Sequence, residues 1–177
     1  MSVLESAVIV AVPEAEDAVS RWRNRLDSAA GRGVPAHVTV LYPFLPPAEI
    51  DGAALETLAE VVAGVSTFDC ALARVRWFGS TVLWLDPDPA EPFRELTTRV
   101  WRRFPQCSPY GGQHAELIPH LTVGDDGPSA DMQAAERSVY AALPIHARVT
   151  HARLIRGSTE ANSWQTMREF PLAPADE

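Results

Sequence analysis

The sequence predicts an α+β fold of two lobes facing each other across a cleft. Three observations point to it. The order strand, helix, strand, helix, strand runs twice along the chain, with no linker between the copies. The third element of each copy carries the same short polar pattern, so duplication would set the two patterns face to face. The length, 177 residues, suits one domain or two tightly fused lobes. A single domain over 1–177 is expected, built from units at about 7–80 and 81–172.

The first unit opens on Ala7-Val8-Ile9-Val10-Ala11-Val12, a short apolar run ending at Pro13 that reads as a fully buried strand. Ala15, Val19, Trp22, Leu26 and Ala29 then recur at helical spacing, with Glu14, Glu16 and Asp17 at the positive end of the helix dipole. Gly31 and Gly33 stop this helix, and a strand follows at about 36–42. Pro46-Pro47 opens a second helix whose face is Leu55, Leu58, Val62 and Val65. Residues 67–77 and 81–86 read as two strands separated by Phe78-Gly79-Ser80.

In the second unit, Asp86-Pro87-Asp88-Pro89 reads as a turn. Phe93, Leu96, Val100 and Phe104 define a helix that Pro105 ends. A strand is expected at about 117–123, after a polar loop. Ser129 is placed to cap a helix carrying Met132, Ala135, Val139 and Leu143, stopped by Pro144. Strands at about 145–156 and 163–170 complete the pattern.

The balance of charge is acidic, 15 Lys+Arg against 23 Asp+Glu for a net −8, and every one of the 15 is arginine. A chain that held long nucleic acid by neutralising phosphates would be basic, so a long polyanion partner is not expected, although a small phosphorylated ligand in a local pocket is. Cys70 and Cys107 lie far apart with no CxxC, which excludes a zinc ribbon or disulfide framework and marks both as small buried hydrophobes. The opening residues Met1-Ser2-Val3-Leu4-Glu5-Ser6 show no basic segment before an apolar run, and no stretch approaches the ~20 apolar residues of a membrane span. A cytoplasmic monomer with no membrane contact is the expectation.

The pattern that carries chemistry is Val34-Pro35-Ala36-His37-Val38-Thr39-Val40 in the first unit and Ile118-Pro119-His120-Leu121-Thr122-Val123 in the second. Side chains alternate along a strand, so His37 and Thr39 share one face and Val38 and Val40 the other; His120 and Thr122 repeat the arrangement. Two imidazoles and two hydroxyls facing one cleft suit phosphodiester chemistry. One neutral histidine takes a proton from water, and the other, protonated, gives one to the leaving oxygen; a pKa near ~6.5 makes both forms accessible. The threonines can bond non-bridging phosphate oxygens, and the scheme requires no metal.

The paired His-hydrophobic-Thr-hydrophobic motifs resemble those of the 2H phosphoesterase superfamily. The stretches His37-Val-Thr-Val-Leu-Tyr-Pro-Phe44 and Pro119-His-Leu-Thr-Val123, with Pro109-Tyr110-Gly111-Gly112 shortly before the second, are most similar to its 2′-5′ RNA ligase-like branch. The resemblance implies a bilobal fold, each lobe an antiparallel sheet with two helices. It implies metal-independent phosphodiesterase activity, with no cofactor, on a 2′,3′-cyclic phosphate or a small 2′-linked nucleotide. Bacterial relatives that open 2′,3′-cyclic phosphates leave a 2′-phosphate, and some run the reverse 2′-5′ joining of RNA. His37, Thr39, His120 and Thr122 match the family's catalytic positions. Which histidine is base and which acid stays open, because the motifs are alike.

Among other candidates, Tyr42 and Tyr110 sit close to the motifs and could stack a nucleobase, whereas Phe44 reads as core. His114, in a Gly-rich loop, is a possible third ligand-facing group; His146 and His151, on opposite faces of one expected strand, make a zinc site improbable. Arg74 and Arg76 share a strand face, as do Arg148 and Arg156 with Arg153 opposite, and one or two could reach a phosphate. The five tryptophans, Trp22, Trp77, Trp84, Trp101 and Trp164, read mostly as packing residues. Two rival functions are a nucleotide-binding module without catalysis and an RNA 2′-5′ ligase or end-processing protein.

Overall fold

The computed structural model describes residues 2–113 and 116–176. Eight strands form two four-stranded antiparallel sheets. The first half supplies β1 (Glu5–Ala11), α1 (Glu16–Leu26), the single-turn α2 (Ser28–Gly31), β2 (His37–Leu41), α3 (Gly52–Val62) and β3 (Phe68–Phe78). The second supplies β4 (Val82–Asp88), α4 (Glu91–Arg103), β5 (Leu121–Asp125), α5 (Ser129–Tyr140), β6 (Ile145–Val149), β7 (His151–Gly157) and β8 (Gln165–Pro171). No helix among the described residues is long and apolar enough to cross a membrane.

The sheets do not follow the halves of the sequence. One has the order β2-β1-β7-β8 and the other β5-β4-β3-β6, so each draws strands from both units. The expected division at 80/81 falls inside the β3–β4 hairpin, where Phe78 pairs with Val82. The stretch 145–156, expected as one strand, breaks at Thr150. Residues before it pair with β3, and residues after it pair with β1 and β8 in the other sheet. Both sides of the break alternate buried and exposed residues, so periodicity alone could not locate the change of sheet.

Four local readings are corrected. Pro46-Pro47 leads into a 3₁₀ turn at Pro47–Glu49; α3 starts at Gly52, where Asp51 Oδ1 accepts from the Ala54 N–H at 2.8 Å, a side-chain cap. The segment Asp86 to Pro89 is no turn until its end. β4 runs on to Asp88 with Pro87 opposite Leu72, beside a break in register that tolerates a residue lacking an N–H. The strand expected from 117 begins only at Leu121, because Pro119 cannot donate to a ladder. Ser129 is the first helical residue of α5 and makes no capping bond, Pro128 occupying the cap position.

Helices cross-brace the two sheets. α1 lies against β5 and α4 against β2, so each edge strand is supported by a helix from the other half of the chain. The Thr97 hydroxyl of α4 donates to the Val40 carbonyl at 2.7 Å, satisfying an edge carbonyl of β2. The main core fills the space behind both sheets with Val8, Val38, Leu58, Leu72, Phe93 and Leu121. Cys70 and Cys107 are buried and unbridged, as expected. Trp22 and Trp84 are also buried, whereas Trp101 is exposed.

Candidate active site

The two motifs occupy β2 and the mouth of β5, the edge strands of the two sheets, which lie against each other. Val38, Leu121 and Val123 are fully buried at 0% exposure, so alternation turns His37, Thr39 and Thr122 to the opposite, cleft face. His120 stands just before β5. All four motif side chains are half-buried. Among the described residues, no cluster of three His, Cys, Asp or Glu converges as a metal-binding set.

The imidazoles are held identically. His37 Nδ1 lies 2.7 Å from the Pro35 carbonyl oxygen, and His120 Nδ1 lies 2.7 Å from the Ile118 carbonyl oxygen. A carbonyl only accepts, so each Nδ1 carries the hydrogen and Nε2 is the basic nitrogen of each neutral ring. When a ring is neutral its Nε2 is a base; when protonated, the same atom is an acid.

The surroundings of the two rings differ. Beneath His37, α1 presents Arg23, only 2% exposed, and Asp27, joined by an ion pair of 3.0 Å. Arg23 Nη1 donates to the Val34 carbonyl at 3.2 Å, and Glu16 Oε1 accepts from the Ala36 N–H at 2.8 Å. These side chains clamp the segment 34–36, whose Pro35 carbonyl orients the imidazole. Burial, then the Arg23 charge, push the His37 pKa down from 6.5 to about 4; the Pro35 hydrogen bond and Asp27 pull upward, and charge on His120 adds to the lowering.

Around His120 the neighbours are aromatic. Phe78 and Trp84 approach its ring edge-on at 5.1 and 5.9 Å between centroids, and Tyr110 stacks on it at 6.3 Å with planes 26° apart. The face of a tyrosine attracts a ring cation. Trp84 is buried, and its indole N–H has no hydrogen-bond partner among the described residues.

The tyrosines tie the motifs together. The Tyr110 N–H donates to the Tyr42 carbonyl at 2.6 Å, and its phenol shares a hydrogen bond with the Thr39 hydroxyl. Tyr110 has φ +51, and Gly111 and Gly112 follow with φ of +64 and +78, so the Pro-Tyr-Gly-Gly sequence forms a tight left-handed turn that delivers the ring. Burial raises the pKa of both tyrosines, and for Tyr42 the adjacent Glu5, which accepts its hydroxyl at 2.9 Å, raises it further. Tyr42 lines a hollow beside His37 and Thr39. Phe44 is buried edge-to-face against Phe104 at 4.8 Å, in the core as expected.

The remaining candidates stand elsewhere. His146 and His151 lie on different strands, both exposed. Arg74 and Arg76 share Asp86, Arg148 on β6 pairs with Asp69 on β3, and Arg153 on β7, the strand that also carries Arg156, pairs with Glu169 on β8. His114 lies outside the described residues. Sequence reading missed Arg23 and Asp27, although Arg23 sits next to Trp22 on the buried side of α1, where a charge is unusual enough to have been a signal. It also missed Arg32 and Trp164, which line the hollow beside His37, and Phe78, which packs against the His120 ring.

A two-sheet α+β fold whose meeting edges each present a histidine and a threonine defines a class of phosphoesterase-like proteins. The chain belongs to the 2′-5′ RNA ligase superfamily, the 2H phosphoesterases: the model of that superfamily matches residues 11–161. Among solved structures, Escherichia coli LigT complexed with 3′-AMP is 18% identical, with a TM-score of 0.59 over 96% of this chain and 98% of that one. A protein described as a phosphoesterase is 17% identical, with a TM-score of 0.61 over 97% and 99% of the two chains. TT0787 of Thermus thermophilus is 15% identical, with a TM-score of 0.61 over 97% and 100%. At these identities the likeness is one of fold. No curated protein matches the chain.

Proposed function

We propose that this protein is a phosphodiesterase that opens a 2′,3′-cyclic phosphate, or cleaves a small 2′-linked nucleotide, by two-histidine acid-base catalysis. The observation that supports the reading is the matched pair of Nδ1 bonds to backbone carbonyls, made by two histidines that are near enough for the charge on one to act on the other. Thr39 and Thr122 hold non-bridging phosphate oxygens. The family's LigT structures hold 3′-AMP, ATP and NADP+, which supports a nucleotide as the ligand.

The difference in surroundings supports a division of roles. His37, kept neutral by burial and by Arg23, takes a proton from the attacking water. Water oxygen bonds to phosphorus, the bond from phosphorus to O3′ breaks, and His120, stacked on Tyr110, protonates O3′. The products are a 2′-phosphate and a free 3′-hydroxyl. With a ribose 5′-hydroxyl in place of water as the attacking group, the same bond from phosphorus to O3′ breaks as His120 protonates O3′. The product is then a 2′-5′ linkage made by the same two groups. The net charge of −8 favours a small substrate or a short RNA end over a long polyanion.

The test is turnover of a panel of 2′,3′-cyclic nucleotides with a chelator present, by the wild type and by His37→Ala. Turnover that survives the chelator and is lost in the variant supports the reading. Binding of nucleotide without hydrolysis of any cyclic phosphate would favour the non-catalytic module instead.

A further inference from the structure

β1 is buried on both faces. Val8 and Val10 face the main core, while Ala7 and Ile9 face the cleft, where they form a second apolar cluster with Val34 and Ile155. A cleft-side sheet face exposed to water would alternate to polar residues, so these side chains make a built floor. The hollow they line opens directly beside His37 and Thr39.

Its wall is Trp164, and that ring is fixed. The indole N–H donates to the Ser158 carbonyl at 2.9 Å, and the Trp164 backbone N–H donates to the Arg32 carbonyl at 2.9 Å. Gly157 leaves room for the ring; a Cβ there would stand 2.4 Å from it. With its N–H spent, the indole offers an apolar surface to whatever enters.

Two opposite charges adjoin the hollow, one in its lining and one held by the hydroxyl of a lining residue. Arg32 lines the hollow, makes no ion pair with any described residue, and lies near enough to Tyr42 for its charge to act on the phenol. Glu5 shares the strand face of Ala7 and Ile9, stands opposite Gly157, and is held by the Tyr42 hydroxyl. Glu5 lies four steps along β1 from Ile9, the partner of Thr39, a span of about 13 Å at ~3.3 Å per residue. That span suits a nucleoside lying along the strand, phosphate at the histidines and the pairing edge of its base at the far end.

We infer that the hollow is a guanine site: the apolar floor and Trp164 take the purine ring, Arg32 donates to O6 and N7, and Glu5 accepts from the N1 and N2 hydrogens. Arginine supplies only donors and a carboxylate only acceptors, and guanine presents the matching acceptors and donors side by side. Adenine presents an amino group where Arg32 needs an acceptor and a bare N1 where Glu5 needs a donor. The inference rests on the phosphodiesterase reading and deepens it.

The experiment compares kcat/KM on 2′,3′-cyclic GMP and 2′,3′-cyclic AMP for the wild type, Arg32→Met and Glu5→Gln. The expected wild-type ratio favours the guanine nucleotide by about tenfold to a hundredfold, the discrimination of one good bidentate pair. Each variant should bring the ratio toward one, chiefly by raising KM for the guanine substrate. A wild-type ratio near one, or a guanine preference that survives both substitutions, overturns the guanine site and leaves the phosphodiesterase reading standing. No turnover of either nucleotide by the wild type overturns both.

Discussion

His37 and His120 stand on the same backbone device and in opposite surroundings. Each ring is pinned by a 2.7 Å bond from Nδ1 to the carbonyl two residues earlier, and each stands at the start of, or just before, an edge strand that packs its lobe with the alternate residues. Around them, one lobe places a buried guanidinium beneath its histidine and the other surrounds its histidine with aromatic rings. The two like motifs therefore share a geometry while their electrostatic surroundings differ. In the proposed mechanism, that difference would make one imidazole the base and the other the acid.

The comparison breaks most visibly in the histidines themselves. His37→Ala and His120→Ala should each lower kcat by about 10²–10⁴-fold while the far-ultraviolet circular dichroism stays native. Their pH profiles should separate them. Loss of the base removes the limb by which kcat/KM falls on acidification, and loss of the acid removes the alkaline limb.

Next in size is Arg23→Met. Removing the guanidinium leaves the Asp27 carboxylate buried without its partner, and both changes move the His37 pKa upward. The acid limb of kcat/KM should shift from near pH 4 toward the ordinary histidine value, with a stability loss of about 3–5 kcal/mol in urea denaturation. Arg23→Lys, which keeps the charge, should restore much of the limb's position. An unmoved limb in Arg23→Met would separate the clamp from the chemistry.

His37 also predicts a pH dependence of stability. Its folded pKa of about 4 lies below the unfolded value of 6.5, so the native state favours the neutral ring. The contribution is fully present above pH 6.5 and is lost as pH falls through 4, by up to about 3 kcal/mol. Urea midpoints at pH 7 and pH 4 should differ less in His37→Gln than in the wild type.

How much of this was legible in the sequence follows from which interactions are local. The motifs Pro35-Ala36-His37-Val38-Thr39 and Pro119-His120-Leu121-Thr122 were readable because alternation fixes faces over three residues. The helices α1 and α4 were readable from Val19, Trp22 and Leu26 and from Phe93, Leu96 and Val100, all of which are buried. The exchange of β3 and β7 between sheets was not, since strand pairing depends on partners far along the chain. Neither was the division of labour in the site. Arg23 lies 14 residues before His37 on another element, and Phe78 and Trp84 reach His120 only through the β4–β5 pairing.

The smallest expected effects sharpen the aromatic side of the comparison. Tyr110→Phe keeps the ring stacked on His120 and removes the hydroxyl that bonds Thr39, so kcat/KM should fall less than tenfold, near the ~1 kcal/mol of one hydrogen bond. Trp84→Phe removes a buried N–H that has no partner among the described residues. Its thermal midpoint should show little of the usual cost of an aromatic truncation, because the lost group was itself unfavourable.

The division of roles is tested most directly with a cyclic nucleotide whose O3′ is replaced by sulfur, a leaving group that departs without a proton. His120→Ala should recover most of its lost kcat on that substrate, because the acid is no longer needed, while His37→Ala stays as impaired as on the oxygen substrate. Recovery in His37→Ala and not in His120→Ala would contradict the assignment.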